Sequence, residues 1–441
     1  MESFEMKITS LLRIVAISSA LMATAGCTHG TQRLPSSSEP HESSSLGNSV
    51  SAEDDDVQET IRTAPITSAS PGLYNNETGT PVFALVDSAK RSLDVEIYEM
   101  SDLDFRAAIR RALQRKVTVR IIKEPAPIGE KCKMMAPVTA RDSDDCQDQK
   151  QLVAEILAHG GKVVPFNKAE LCGEKGKTCF EHGKMVIADQ KYVMLSTGNF
   201  NASNLCNHGK KAGVCNRDFS YISHRPFIVE GLSVIFEKDL NGQSYDLPAA
   251  VSARFKRKIT VSPFSSAPLV EFIGSAKHSI EIENQYLKDP VLNQALIAAS
   301  NRGVAVSVTL SSLCSFGQPK DGLKREAERI FGAFDAAHIK TQMFTSQMKV
   351  GGRSGYLHAK VIVVDGWKAW MGSVNGSTMS TSRNREYGIF FWNPFSVDHL
   401  KKIIRADQSD PRGETWQESL QCLRDHKTED DSGDGPRSGE E

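Results

Sequence analysis

The sequence predicts an α/β protein made of two homologous α/β sandwich domains with mixed, largely parallel sheets, packed with pseudo-twofold symmetry around one shared site. Three observations predict it. Ser88-Ala89-Lys90-Arg91-Ser92-Leu93-Asp94-Val95-Glu96 matches Ser275-Ala276-Lys277-His278-Ser279-Ile280-Glu281-Ile282-Glu283 at an offset of 187, and Arg115–Val119 matches Arg302–Val306 at the same offset. Each copy alternates apolar, β-branched runs with segments whose apolar residues recur every three or four positions, the pattern of strands between helices. A second pair of matches, H-x-K-x-x-x-x-D, closes each copy at His182 and His358. One gap-free offset over two separated segments marks a duplicated unit.

The elements follow in the same order in both copies. In the first, a short helix over 81–90 leads to a strand over 92–98, a helix over 105–115 and a strand over 117–122. In the second, the strand 279–286, the helix 291–301 and the strand 304–310 repeat that order. Phe105, Ala108, Ile109 and Leu113 give the first of these helices its apolar stripe. At the motifs the offset has dropped to 176, so the first copy carries eleven extra residues upstream, read as an insert over roughly 124–148. The folded units are expected at 72–250 and 251–423.

Outside them the composition changes. Residues 1–26 read as a signal peptide, with Lys7 and Arg13 ahead of an apolar run, Ile14 to Ala25, too short to span a bilayer. Ala23-Thr24-Ala25 fits a cleavage site for a secreted product. Thr24-Ala25-Gly26-Cys27 resembles a bacterial lipobox with Thr24 where leucine is usual, and is preferred, anchoring an exported lipoprotein at Cys27 in the periplasm or outer membrane. Residues 27–71 are rich in serine and acids and read as a disordered tether; 424–441 read as a disordered acidic tail.

The chain carries 54 acidic and 53 basic residues. Leader, tether and tail take most of the surplus acid, which leaves 38 acids and 47 bases in residues 61–422. A body about nine charges positive suits an anionic partner. The cluster Arg254-Phe255-Lys256-Arg257-Lys258 is most simply a solvated face. Setting Cys27 aside leaves eight cysteines, which in an oxidising compartment pair as 132–146, 172–179 and 206–215 by proximity, with Cys314 and Cys422 remaining. A zinc site from Cys172, Cys179 and His182 is set aside because the spacing is wrong.

The chemistry lies in the motifs. The runs after His182 and His358 are apolar and β-branched, so they read as strands, in which residues two apart share a face. His182 and Lys184 therefore point together, as do His358 and Lys360. Asp189 and Asp365 complete the motif but stand at strand ends on the odd step, and are read as mainly structural members of the set. Ser196-Thr197-Gly198-Asn199 and Gly372-Ser373-Val374-Asn375 follow each motif, then Asn216-Arg217-Asp218 and Asn384-Arg385-Glu386. Two ammoniums (Lys184, Lys360), two amides (Asn199, Asn375) and two hydroxyls (Thr197, Ser373) can bind the oxygens of a phosphodiester as charge builds. Two imidazoles can divide nucleophilic attack from protonation of the leaving oxygen. Asp218 and Glu386 can each accept from the far ring nitrogen and fix the tautomer. One such motif is weak evidence, since an isolated strand histidine is usually structural; two complete copies inside an independent repeat are strong evidence.

These residues resemble the phospholipase D superfamily, over roughly residues 72–422. Ile282-Glu283-Asn284-Gln285-Tyr286-Leu287 is similar to the Ile-Glu-Asn-Gln-Tyr-Phe stretch of true phospholipases D. The resemblance implies a metal-free, cofactor-free ping-pong reaction through a phosphohistidine, with His182 as nucleophile and His358 as general acid. It implies a phospholipid substrate at a membrane surface, and a monomer is expected. The preferred reading is a phosphodiesterase that hydrolyses or transphosphatidylates glycerophospholipids. The alternatives are an exported metal-independent nuclease, for which the basic body speaks and which keeps nucleic acid as a possible partner, and a cardiolipin-synthase-like phosphatidyltransferase. The transferase is placed lower because such enzymes usually carry membrane-spanning helices and no such run follows residue 26. A binding module without activity is disfavoured, because both copies retain every polar residue of the motif.

Overall fold

A computed structural model describes residues 70–78, 81–172, 178–206, 213–316 and 321–425. The leader, its cleavage site, Cys27 and nearly all of the tether and acidic tail lie outside the described residues. The last helix, Trp416–Asp425, runs two residues into the segment expected as tail.

Two seven-stranded sheets repeat one topology. The first is built from β1 (Gly72–Asn75), β2 (Ser92–Ile97), β3 (Thr118–Lys123), β4 (Lys162–Pro165), β5 (Lys184–Ala188), β6 (Tyr192–Ser196) and β8 (Phe219–Ser223), in the order β1-β8-β6-β5-β2-β3-β4. The second is built from β9 (Ile259–Val261), β10 (Ser279–Asn284), β11 (Ala305–Ser311), β12 (Lys340–Phe344), β15 (Lys360–Val364), β16 (Lys368–Gly372) and β17 (Tyr387–Phe391), in the order β9-β17-β16-β15-β10-β11-β12. In each, β2-β3-β4 or β10-β11-β12 pair in parallel and the remaining neighbours are antiparallel. Five of the seven strands of each sheet consequently run the same way. A third, small sheet joins the halves: β7 (Val214–Arg217) pairs in parallel with β14 (Arg353–Leu357), whose other neighbour is β13 (Lys349–Val350).

Local chemistry explains the shared element order. Asp102 and Asp289, equivalent under the 187-residue offset, cap the helices Leu103–Gln114 and Pro290–Asn301 by accepting from Phe105 N–H and Val291 N–H. The motif strands are buried on both faces and alternate between two cores. Met185 and Ile187 of β5, and Val361 and Val363 of β15, enter one apolar core that spans both halves, whereas Val186 and Ala188, and Ile362 and Val364, face the separate outer cores of their own halves. The connection after β3 runs over 124–143 and its counterpart after β11 over 312–320, which locates the eleven extra residues there rather than up to 148.

Cys132–Cys146, Cys172–Cys179 and Cys206–Cys215 close as disulfides, with Cα–Cα separations of 5.3, 5.8 and 5.0 Å. Cys314 is oxidised as well; the side chain of Cys422, its expected partner, is outside the described residues. No described helix is long and apolar enough to cross a membrane.

Candidate active site

Each histidine is seated by a backbone segment from the other half. His182 donates its N–H to Arg385 O at 2.9 Å, and Arg385 N–H donates to Phe180 O at 2.9 Å, a short parallel ladder ahead of β5. The second copy does the same with β14 and β7, where His358 N–H meets Arg217 O at 3.2 Å. The residue after each arginine then reaches the ring. His182 Nδ1 lies 2.9 Å from Glu386 Oε2, and His358 Nδ1 lies 3.0 Å from Asp218 Oδ1. The acids predicted to steady the imidazoles do so crosswise. With Nδ1–H given to a carboxylate, each ring turns Nε2 away from its acid, and that of His358 lies 3.1 Å from Lys360 Nζ.

The set is deeply buried: His182, His358, Lys184 and Lys360 are 3%, 4%, 1% and 0% exposed. Lys184 Nζ donates to His182 O and Lys360 Nζ to His358 O, both at 2.6 Å, which draws each ammonium back toward its own histidine. Lys360 Nζ also reaches Thr197 O of the first half at 3.2 Å. Burial pushes the Asp218 carboxyl up, but the His358 ring, Lys360 and the Thr197 hydroxyl outweigh it and hold it below the usual carboxylate range.

Several predicted residues have other tasks. Asp189 and Asp365, grouped with the catalytic candidates, lie at the far ends of β5 and β15 from the histidines. Asp189 accepts from the N–H groups of Lys90, Arg91 and Ser92, and Asp365 from those of Lys277, His278 and Ser279. They tie the start of β2 and β10 to the sheet, which corrects their inclusion and agrees with a structural part. Thr197 and Ser373, expected to face phosphate, are turned to protein partners instead. Thr197 Oγ1 donates to Asp218 Oδ1 at 2.6 Å and accepts from Phe219 N–H, while Ser373 Oγ accepts from Tyr387 N–H. The hydroxyls hold the strands that carry the two acids. Asn199 and Asn375 are 5% and 2% exposed, and each keeps a buried Oδ1 with no hydrogen-bond partner among the described residues.

A narrow, open cleft reaches this region between the halves; Tyr98, Phe180 and His182 line it from one side, and Tyr286, Asn375 and Asn384 from the other. The Tyr98 ring meets His182 edge-on at 5.0 Å. Sequence reasoning missed Asn204, which donates to Asp218 Oδ2 at 2.7 Å, and Asn384 in its role of donating to Glu386 Oε1 at 3.1 Å. Asn384 stood in the repeated Asn-Arg-acid step and could have been read from it; Asn204 had no such signal. Gly198 leaves room for Asp218, since a Cβ there would lie 2.6 Å from Oδ2.

The family described as "Cardiolipin synthase, PLD-like domain" matches residues 82–240 and again 269–408. The chain belongs to the phospholipase D superfamily. Members of this superfamily are phosphodiesterases or phosphatidyltransferases. The protein is 22% identical over 399 residues to cardiolipin synthase A of Pseudomonas entomophila, covering 85% of this chain and 77% of that one. Among solved structures, phosphatidylserine synthase of Haemophilus influenzae superposes with a TM-score of 0.52 at 13% identity, covering 78% of this chain and 87% of that one. Polyphosphate kinase of Porphyromonas gingivalis superposes with a TM-score of 0.51 at 14% identity, covering 78% of this chain and 48% of that one. At these identities the two structures speak for the fold alone.

Proposed function

We propose that this member of the superfamily is a phosphatidyltransferase, moving a phosphatidyl group from one glycerophospholipid to the hydroxyl of an alcohol such as a second phosphatidylglycerol. This reverses the preference that the sequence alone supports, which put hydrolysis first. The ground for demoting the transferase was the lack of a membrane-spanning run, yet the likeness to a cardiolipin synthase extends over 85% of the chain without one among the described helices. The observation that carries the chemistry is the pair of buried imidazoles, each backed at Nδ1 by a carboxylate from the other half.

In the first step His182 Nε2 attacks phosphorus and the P–O bond to the head group breaks. His358 gives its proton to the departing oxygen. In the second step the acceptor hydroxyl returns a proton to His358 while its oxygen displaces His182 from phosphorus. Lys184, Lys360, Asn199 and Asn375 would hold the non-bridging oxygens through both displacements. Burial of His182, His358, Lys184 and Lys360 supports transfer over hydrolysis, because restricted access of water protects the intermediate.

The test is to give the purified full chain phosphatidylglycerol vesicles, with and without added glycerol, in chelator, and to separate the lipid products; plasmid DNA is incubated in parallel. Formation of diphosphatidylglycerol with release of glycerol is expected. Phosphatidic acid as the sole product returns the reading to hydrolysis, and nicked DNA with untouched lipid overturns both.

A further inference from the structure

The arginine that precedes each ring-orienting acid is itself buried in the opposite half. Arg385 is 3% exposed; its Nε lies 2.8 Å from Asp239 Oδ2, its second terminal nitrogen 3.2 Å from Asp239 Oδ1, and it donates to Ser262 O at 2.9 Å. Asp239 belongs to the helix Pro226–Asn241 of the first half, the half of His182. Arg217 is 4% exposed and makes a two-pronged pair with Asp407 at 2.7 and 2.9 Å, plus a contact to Glu77 at 2.6 Å. Asp407 belongs to the helix Pro394–Gln408 of the second half, the half of His358. Glu96 and Glu283, equivalent under the 187-residue offset, are both fully buried on β2 and β10 beside these pairs. Burial and the neighbouring Asp239 or Asp407 push both carboxyls well above their ordinary range.

Resting on the reading of His182 and His358 as the reacting groups, we propose that Arg385 and Arg217 are positioning residues that clamp the dipeptides Arg385-Glu386 and Arg217-Asp218 into the half whose histidine they serve. Three contacts converge on each dipeptide. The arginine carbonyl takes the histidine N–H, the next carboxylate takes the ring Nδ1–H, and the guanidinium ties both to the helix aspartate, through two hydrogen bonds at Arg217 and through one hydrogen bond and a close Nε–Oδ2 ion contact at Arg385. A guanidinium can grip both oxygens of a carboxylate in one plane, which an ammonium cannot. Lysine at either position would keep the charge and lose the grip, letting the acid drift from its imidazole. A misplacement on the order of 1 Å costs about a hundredfold in rate.

The clamp has a signature that a general loss of stability would not produce. In the full chain, the buried Nδ1–H proton of each histidine, held by a carboxylate, gives a downfield proton resonance, assigned by its loss in His182→Gln or His358→Gln. Arg385→Lys is expected to shift or broaden the His182 signal and leave that of His358; Arg217→Lys is expected to do the reverse. Turnover of each should fall about a hundredfold in kcat with KM little changed. Wild-type signals and rates in either lysine variant overturn the proposal, and so does a change that falls on the wrong histidine or on both alike. Should the lysine variants fail to fold, Glu77→Gln decides. Its side chain is 29% exposed, so folding tolerates it, and it should move the His358 signal alone, by less than Arg217→Lys would; an unmoved signal overturns the clamp. The resonances are read without substrate. A wild type that acts on no phosphodiester but shows the crosswise pattern sinks the proposed function and leaves the clamp standing.

Discussion

Glu386 Oε2 stands 2.9 Å from the Nδ1 of His182, a residue 204 positions earlier in the chain and in the other repeat. The equivalent pair, Asp218 and His358, is separated by 140 positions. Each repeat thus supplies the histidine of one pair and the acid of the other.

Removing these charges while keeping their shape isolates their effect. Glu386→Gln and Asp218→Asn should each lower kcat by about 10²- to 10⁴-fold with little change in KM, since the amide cannot steady an imidazolium. His182→Ala and His358→Ala should each abolish turnover, and the double variant should be no worse than either single one, because the two rings act as a unit. Steady-state kinetics on a phosphodiester substrate checks all five; additive losses in the double variant would count against a shared site.

Stability should respond to pH in opposite senses at two sets of acids. The Asp218 carboxyl is held low in the folded state, so its contribution is present above its unfolded value of ~3.9 and disappears as pH falls through the folded one. The Tm difference between wild type and Asp218→Asn should therefore shrink on acidification below pH ~4. Glu96 and Glu283 are held high, so wild-type stability falls as pH rises above their unfolded value of ~4.3. Glu96→Gln and Glu283→Gln, which mimic the neutral acid, should raise Tm more at pH 8 than at pH 4. Scanning calorimetry at the two pH values measures this, and a larger gain at pH 4 would contradict it.

Asp365→Ala and Asp189→Ala should damage the fold rather than the chemistry. Each carboxylate caps three backbone N–H groups, and each residue sits in the left-handed region at φ 53 and 55, where aspartate is tolerated better than alanine. A loss of about 1–3 kcal/mol in unfolding free energy is expected for each, with kcat per folded molecule retained. Denaturant unfolding and active-site titration together separate the two effects.

The Cys206–Cys215 bridge closes the loop between Asn204 and the Asn216-Arg217-Asp218 segment. Replacing both cysteines by serine should cost about 2–3 kcal/mol of stability and should also loosen Asp218, lowering kcat at temperatures where the protein is still folded. The same replacement at Cys172 and Cys179 tests His182 instead, because that bridge stands just ahead of Phe180. Rates and melting curves on the same samples give the answer.

How much of this was legible follows from what is local. The strand and helix pattern, the two H-x-K segments and the three near-neighbour cysteine pairs are set by residues close in sequence, and spacing alone points to them. Which acid serves which ring is not local. Asp218 and Glu386 have the same neighbours in sequence whichever way they pair, and only the β7–β14 and Glu181–Arg385 pairings decide it. The same limit hid the hydroxyls of Thr197 and Ser373. Strand periodicity places them on a face, but the backbone groups that capture them arrive from β8 and β17. Asn204 carried no repeated partner to draw attention to it, since Ser380 stands at the matching position.

The reciprocal seating also bears on what one copy can do alone. A single copy of this unit would hold an imidazole without its carboxylate and a carboxylate without its imidazole, so one repeat alone forms neither pair, and two separate copies would form both only by associating. The two copies share the histidine, lysine, aspartate and asparagine of the motif, and fill the exchanged position with aspartate on one side and glutamate on the other.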